Sequence, residues 1–566
     1  MKALYYHGIP IDAEIMKASD PTKPTIMGMG IYASGVLPAL LEFGTFDHYY
    51  LPEIPFFYRD RALAIPEVAS NLHRISFVPE HRQQVLCEPE TLVFMNPGNN
   101  LRHLANLRYK VKQYDAPITG VLHSLNYTSF ADNILLEMLS PTKPIDALFV
   151  GSTAGIEVMT KQVEMVQRRF QERYHLKLAF QPKLLHLPLG VNSKLYLRKA
   201  VESPDEFRTD FGLSAEPVVI LYFGRFSPVS KADLFPLILA FSRLPYVEQN
   251  IVLILSGDDT MHHISGRLRE FANEHGCGDY VRVFPDPSKE DKIKFYKLAD
   301  IFVSPSDCIQ ETFGITIIEA MASSLPVIAS DWNGYRDIVV HGKTGFLIPT
   351  MLPDYPAEFD LLHSSGNMTS DDLLARTTVV SVPHLTQAMA NLCSSRELRR
   401  QLGKNGQDRV ALFYDWKQVI QAYEASWDDL LQEAKARASE FRLPGEYQND
   451  SYSYKELFGH YPTDQLTIED WVGLSDMGML ARRTGFLETI AVPEDRFDVE
   501  VLQSIIKTLL ETSPLPIKHV IDVMPRSKHA ACLRPLDDKM IAFVHIARLI
   551  KYGLVQTIRP RVGNDV

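Results

Sequence analysis

Between residues 217 and 350 the chain alternates short apolar runs with helical patterns: PVVILYFGR then DLFPLILAFSRL, NIVLILSGDD then HHISGRLREFANEHG, VRVFPD then KEDKIKFYKLAD, and IFVSPSD, PVIASD and GFLIP beyond. Strands of this kind, continuously apolar and separated by helices, are those of a parallel sheet covered on both faces. In such a sheet ligands gather at the carboxyl ends of the strands. The loops after ILYFG, ILSG, VSPS and IASD are therefore the first places to look for chemistry.

The first 190 residues repeat the theme less regularly. KALYYHG, TLVFMN, ITGVLH, DALFVGS and KLLHLPLG are strand candidates with room for helices between them. Two α/β units in series, joined near PLGVN (188–192), are predicted, with a cleft between them as the natural ligand site. After 350 the pattern loosens into a polar, proline-containing segment that reads as an insertion over 350–381. Helical patterns then resume. A linker-like stretch, LPGEYQNDSYSYKELFGHYPTDQ, precedes three amphipathic candidates, FDVEVLQSIIKTLLE, PIKHVIDVM and DKMIAFVHIARLIKYG.

Composition narrows the class. At 566 residues the chain is too long for one ordinary core. A net charge of −11 argues against nucleic acid or anionic membrane as the partner of the whole chain. The five cysteines are scattered and never spaced C-x-x-C, so neither a disulfide framework nor a zinc site is expected. No apolar run reaches the roughly 18 residues of a membrane span, and the N-terminus meets Asp12 and Glu14 before any long apolar run, unlike a signal peptide. A soluble, cytoplasmic protein is predicted.

Two clusters carry chemistry. In YFGRFSPVSK, Gly224 lets the backbone approach a ligand, and Arg225 and Lys231 can grip an anion such as a diphosphate. Taken alone, the pair reads first as solvated side chains on a surface loop. In QETFGITIIEAM, an apolar run is bracketed by Glu311 and Glu319. Buried carboxylates need partners, and acceptor-only groups suit a sugar or a ribose. Phe313, Gly314 and Ile315 open the helix ITIIEAMA, where backbone N–H groups receive phosphate oxygens. Asp258 and Asp259 are adjacent and point apart on any regular element, and no other metal constellation stands out.

The E-x7-E spacing of Glu311 and Glu319 resembles the signature of the retaining glycosyltransferases of family 4, of the glycogen synthase and glycosyl transferases group 1 type. The order around it is similar too: strand-Gly-Arg-loop-Lys, SGDD, a YxxAD helix (Tyr296 to Asp300), E-x7-E and GxTGFL. The resemblance covers about 1–430 and is specific over 217–350. It implies a GT-B architecture of two Rossmann-like domains facing a cleft. The domains then run 1–195 (acceptor), 196–435 (donor, with the 350–381 insertion and a 415–435 helix returning towards the first domain), 436–489 (linker) and 490–566 (small helical accessory domain, winged-helix-like).

The resemblance also assigns roles. Arg225 and Lys231 match the basic pair on the donor diphosphate, without a metal or cofactor. Glu319 matches the ribose ligand, and Glu311 the group beside the transferred sugar. Phe313, Gly314 and Ile315 match the turn at the sugar or phosphates, and His123, ending ITGVLH, a histidine near the donor sugar. The activity implied is transfer of a hexosyl group with retained anomeric configuration from a nucleotide-diphosphate sugar. UDP-sugars come first, with GDP-, ADP- and dTDP-sugars open, and the acceptor is a glycan, small molecule, peptide or protein. The family usually places its lysine five residues after the arginine. Here the fifth is Ser230 and the sixth Lys231, so a one-residue bulge is needed. A glycine-rich loop after the first strand has its nearest candidate in Gly28 and Gly30, which read equally as the start of a helix.

Two other functions fit parts of the pattern. Gly28, Gly30 and Ala33 satisfy G-x-G-x-x-G/A with Asp47 and Glu53 downstream, as in a nicotinamide-dependent oxidoreductase, but KPTIM before them is a poor strand. A non-catalytic nucleotide-sugar-binding or scaffold protein on the same fold is the other. Residues 491–566 hold 11 Lys and Arg against 9 Asp and Glu, too balanced for duplex binding. A protein or peptide partner, or a structural appendage, is expected there.

Overall fold

The computed structural model describes residues 1–8, 28–53, 62–126, 130–197, 208–213, 217–247, 250–354, 369–438, 440, 460–481, 487–488, 491, 497–525 and 537–558. The chain divides into two compact units, Met1–Phe77 with Pro89–Tyr447, and Val78–Glu88 with Gln448–Val566.

The larger unit holds two parallel sheets. The first contains β1 (Lys2–Tyr6), β2 (His48–Pro52), β3 (Ile75–Val78), β4 (Thr91–Asn96), β5 (Ile118–Leu122), β6 (Ala147–Val150) and β7 (Lys183–His186), in the order β3-β2-β1-β4-β5-β6-β7. The second contains β8 (Val218–Phe223), β9 (Ile251–Gly257), β10 (Val281–Pro285), β11 (Ile301–Ser304), β12 (Val327–Ser330) and β13 (Gly345–Ile348), in the order β10-β9-β8-β11-β12-β13. Strands β5, β6, β9, β11 and β12 are buried along their whole length, as a sheet with two covered faces requires. The α/β class with two Rossmann-like, doubly wound domains is thus the observed fold.

In both sheets the strand order reverses beside the first strand, between β1 and β4 and between β8 and β11. A doubly wound sheet opens a crevice at that point. Gly224 follows β8 and the Glu311 loop follows β11, so the order of strands alone brings the two sequence clusters together. The ends of β8 and β9 lie so close that a Cβ on Gly257 would sit 1.7 Å from the Gly224 carbonyl oxygen. Only glycine fits there.

The helices that matter to the site are α1 (Gly28–Phe43), α2 (Arg102–Lys110), α3 (Phe130–Leu139), α4 (Thr153–Tyr174), α5 (Lys289–Leu298), α6 (Ile315–Ala322) and α7 (Trp416–Ala436). Asp415 caps α7, accepting from the Lys417 N–H. The helix then returns to the first sheet domain: Tyr423 and Tyr32 hydroxyls are 3.3 Å apart, and the buried Trp427 indole donates to the Thr119 hydroxyl at 3.0 Å. Within the expected insertion, β14 (Thr350–Met351) and β15 (Val379–Val380) pair antiparallel and a helix spans Thr369–Thr377; 355–368 lie outside the described residues.

The smaller unit packs α8 (Val499–Glu511), α9 (Ile517–Asp522) and α10 (Asp538–Lys551) with a three-stranded antiparallel sheet of β16 (Trp471–Leu474), β17 (Leu515–Pro516) and β18 (Val555–Ile558). The three helices match the sequence reading, but the sheet corrects it. Trp471–Leu474, read as part of a 436–489 linker, is the central strand between β17 and β18. Four residues are too few for an alternating pattern to register, and pairing from both sides does what local propensity cannot. Residues 441–459 of that linker lie outside the described residues.

Candidate functional site

Residues of both sheet domains line a cleft of about 1290 Å³. The loop after β8 enters first. The Gly224 N–H donates to the Ser256 carbonyl at 3.1 Å. Arg225 then turns back on the loop, its Nη2 donating to the Ser230 carbonyl at 3.1 Å, while its Nη1 is buried with no hydrogen-bond partner among the described residues. A guanidinium nitrogen left without a partner has the capacity to donate to an anion.

The extra residue before Lys231 is absorbed locally. The Lys231 and Ala232 N–H groups both donate to the Ser227 carbonyl at 3.0 Å, and the Ser227 and Ser230 hydroxyls lie 2.8 Å apart. That tight turn delivers Lys231 to the cleft, where its ammonium pairs with the Glu311 carboxylate. Burial alone would lower the Lys231 ammonium, but Glu311, with Tyr335 and Tyr222, more than reverses this and holds it above its ordinary value. Burial likewise pushes the Glu311 carboxyl up, and the opposing pull of Lys231, the Phe313 N–H and Arg225 leaves it below the usual carboxylate range. Both groups are therefore charged at neutral pH.

Glu311 is further fixed by the Phe313 N–H at 3.3 Å and the Tyr335 hydroxyl at 3.4 Å. Gly314, with φ 121°, turns the chain into α6, and a Cβ there would stand 2.7 Å from the Tyr335 ring. The Gly314 carbonyl accepts from Ile317 at 3.0 Å, while Ile315 opens the helix on the cleft side. The Phe313 side chain is buried and meets the Tyr414 ring edge-on at 6.0 Å. Its predicted role rests on its N–H, which in this state is engaged by Glu311.

Eight residues on, Glu319 is 2% exposed yet lines the cleft. It accepts from the Tyr196 hydroxyl at 2.7 Å, the Lys292 ammonium at 2.6 Å and the Tyr296 hydroxyl at 2.9 Å. A carboxylate offers about four acceptor positions, so capacity for a further hydroxyl remains. Lys292 and Tyr196 were not singled out from sequence. Their only signal there is weak: Lys292 lies one helical turn before Tyr296 on α5, and so shares its face.

His123 lines the same cleft from the end of β5. Its Nε2 lies 2.8 Å from the Pro97 carbonyl, and burial lowers the imidazole to about 4. A neutral ring facing a carbonyl carries its proton on Nε2, leaving Nδ1 as an acceptor. Gly28 and Gly30 form the first turn of α1. The cleft is lined instead by the next turn, including Ile31, Tyr32 and Gly35, while KPTIM before them lies outside the described residues. The sequence-predicted residues of the second domain and His123 thus share one cleft, and the two glycines are not among the residues that line it. Among the described residues no group of three or more His, Cys, Asp or Glu side chains is arranged to hold a metal ion.

With this geometry in view, the similarities to known proteins can be stated. Residues 203–357 match the family described as Glycosyl transferases group 1. Over 143 residues the chain is 36% identical to the D-inositol 3-phosphate glycosyltransferase of Mycobacteroides abscessus, covering 25% of this chain and 31% of that one. Over 243 residues it is 25% identical to the lipopolysaccharide 1,2-N-acetylglucosaminetransferase of Salmonella typhimurium, covering 42% and 54%. The matches therefore span between about a third and a half of these curated relatives. Among solved structures, the Anabaena HepE protein in complex with UDP is 14% identical, with 76% of this chain and 100% of that chain covered and a TM-score of 0.49.

Proposed function

We propose that this chain is a glycosyltransferase that moves a sugar from a nucleotide-diphosphate sugar to an acceptor hydroxyl, with retention and without need of a metal. The observation that carries the reading is the arrangement at the β8/β11 crevice. Arg225, with a buried unpartnered Nη1, and the charged Lys231 stand beside Glu311, and Glu319 lies eight residues further along α6. The group 1 match over 203–357 falls on these residues.

In this reading the diphosphate enters between Arg225, Lys231 and the opening turn of α6. As the glycosidic bond breaks, negative charge builds on the departing phosphate, and two preorganised cations stabilise it best in a site that excludes water. Glu311, released from Lys231 in part, faces the sugar, and Glu319 takes the ribose hydroxyls. His123, its imidazole lowered by burial, serves as a hydrogen-bonding group near the sugar.

The test is thermal stabilisation of the full chain by UDP, GDP, ADP, dTDP and their sugars, since a ligand bound to the folded state raises apparent stability by mass action. Nucleoside diphosphate release is followed in parallel. Glu319→Ala should weaken the nucleotide response, and Glu311→Ala should reduce turnover more than binding. Full turnover in both variants would overturn the assignment.

A further inference from the structure

A second cavity of about 140 Å³ lies within the first sheet domain, bordering the main cleft and sharing Asn99, Phe130 and Asn133 with it. Phe180, Leu148 and Met159 give it apolar walls, and Glu137 on α3 gives it a carboxyl group. Glu137 is 7% exposed. Its Oε1 accepts from the Leu101 N–H at 2.8 Å and the Arg102 N–H at 3.2 Å, capping α2, whose own N-cap residue offers no side-chain bond.

Capping accounts for one oxygen only. Oε2 is buried with no hydrogen-bond partner among the described residues, and leaving such an acceptor unpaired is costly. Burial pushes the carboxyl up to about 7, against the pull of the Leu101 and Arg102 N–H groups. At neutral pH it can therefore accept or donate a hydrogen bond. The Arg102 charge and the N-terminus of α2 stand on the same side, so a cationic ligand gains little there. A cavity of roughly 150 Å³ holds one benzene-sized ring.

We propose that this side cavity is an acceptor subsite that receives one neutral, hydroxyl-bearing six-membered ring, with a ring hydroxyl bonded to Glu137 Oε2 and the ring faces against Phe130 and Phe180. The proposal deepens the glycosyl-transfer reading by giving the acceptor a polyhydroxylated ring at the end that enters the first domain.

The experiment reads binding directly, with no donor present. Saturation-transfer NMR on the full chain uses myo-inositol, methyl α-D-glucopyranoside and cyclohexylammonium as probes. A hydroxylated ring should give transfer to the wild-type chain. Glu137→Gln keeps the carbonyl that caps α2 but replaces the free acceptor, and should weaken binding about tenfold. Ile134→Phe fills the cavity while leaving Glu137 in place, and should abolish the signal. Stabilisation by UDP serves as the control that both variants remain folded and competent at the other site. Absence of transfer in the wild type, equal transfer in all three chains, or preference for the ammonium probe would overturn the subsite. Because no nucleotide takes part in the binding readout, failure of the donor experiment above and failure of this one are separate results.

Discussion

Asp337 joins the two sheet domains by binding Thr153. Its carboxylate accepts from the Thr153 N–H at 2.8 Å and from the Thr153 hydroxyl at 2.8 Å. Thr153 is the first residue of α4, while Ser152 before it accepts from the Gly155 N–H. The helix is thus capped jointly, by a side chain of its own domain and a carboxylate from the other. Removing an N-terminal cap costs about 1 kcal/mol. Asp337→Ala should therefore raise hydrogen exchange at the start of α4 roughly fivefold and let the domains separate further in small-angle scattering. Unchanged exchange there would show that the contact holds nothing.

Lys231 and Glu311 form a mutually dependent pair whose side chains are each 13% exposed. Breaking such a pair from one side leaves an uncompensated charge, at a cost of about 3 kcal/mol or more. Lys231→Met and Glu311→Gln should each lower the denaturant midpoint, and the double variant should be more stable than the two single losses predict. Simple additivity in that double-mutant cycle would mean the two groups do not interact energetically.

Lys292 has a comparable duty towards Glu319. Among the described residues it supplies the one charged donor to that carboxylate, beside two tyrosine hydroxyls, and its ammonium also lies 5.6 Å from the Phe223 ring centroid. Lys292→Met should weaken nucleotide binding about tenfold by calorimetry, because the carboxylate loses a charge-assisted partner. A variant with wild-type affinity would release Lys292 from any part in orienting Glu319.

The pattern of what could be foreseen follows from where each signal resides. Strands such as ILYF and VLILS announce themselves because burial on both faces makes them continuously apolar, and that carried the parallel sheet and the importance of its carboxyl-end loops, while the strand order comes from the fold. The E-x7-E spacing is local to one turn and one helix, so it too is legible. The partners of Glu319 are not. Tyr196 and Lys292 lie 123 and 27 residues away, and only the folded chain brings them to one carboxylate. The same holds for Asp337 and Thr153. The extra residue before Lys231 is visible in the spacing, but the Ser227–Ser230 bonds that shape the loop there are not.

Glu137 gives a pH signature. Its carboxyl rises from 4.5 in an ordinary setting to about 7, through burial first, with Asp146 adding and the Leu101 and Arg102 N–H groups and the Arg102 charge opposing. The folded state holds the proton more tightly than the unfolded chain, so this stabilisation is complete below about 4.5 and is lost as pH rises through about 7. Glu137→Gln stays uncharged and should gain on the wild type across that window, by at most about 3 kcal/mol. Denaturation midpoints at about pH 4.5 and about pH 8 check this. A difference between the two chains that does not change with pH would show that Glu137 titrates normally.

Helix α7 carries a consequence for how the chain is made. The first sheet is complete at His186, yet the Trp427 indole that bonds Thr119, and the tyrosine hydroxyl beside Tyr32, arrive only with residues 423 and 427. Val191 and Asp415 meet in a backbone bridge where the chain leaves the first domain and comes back. The second domain is therefore inserted into the first. During synthesis, which proceeds from the N-terminus at about 5–20 residues per second, the first domain waits uncovered while the second is built. The last contacts of the first domain are made by residues synthesised after the second.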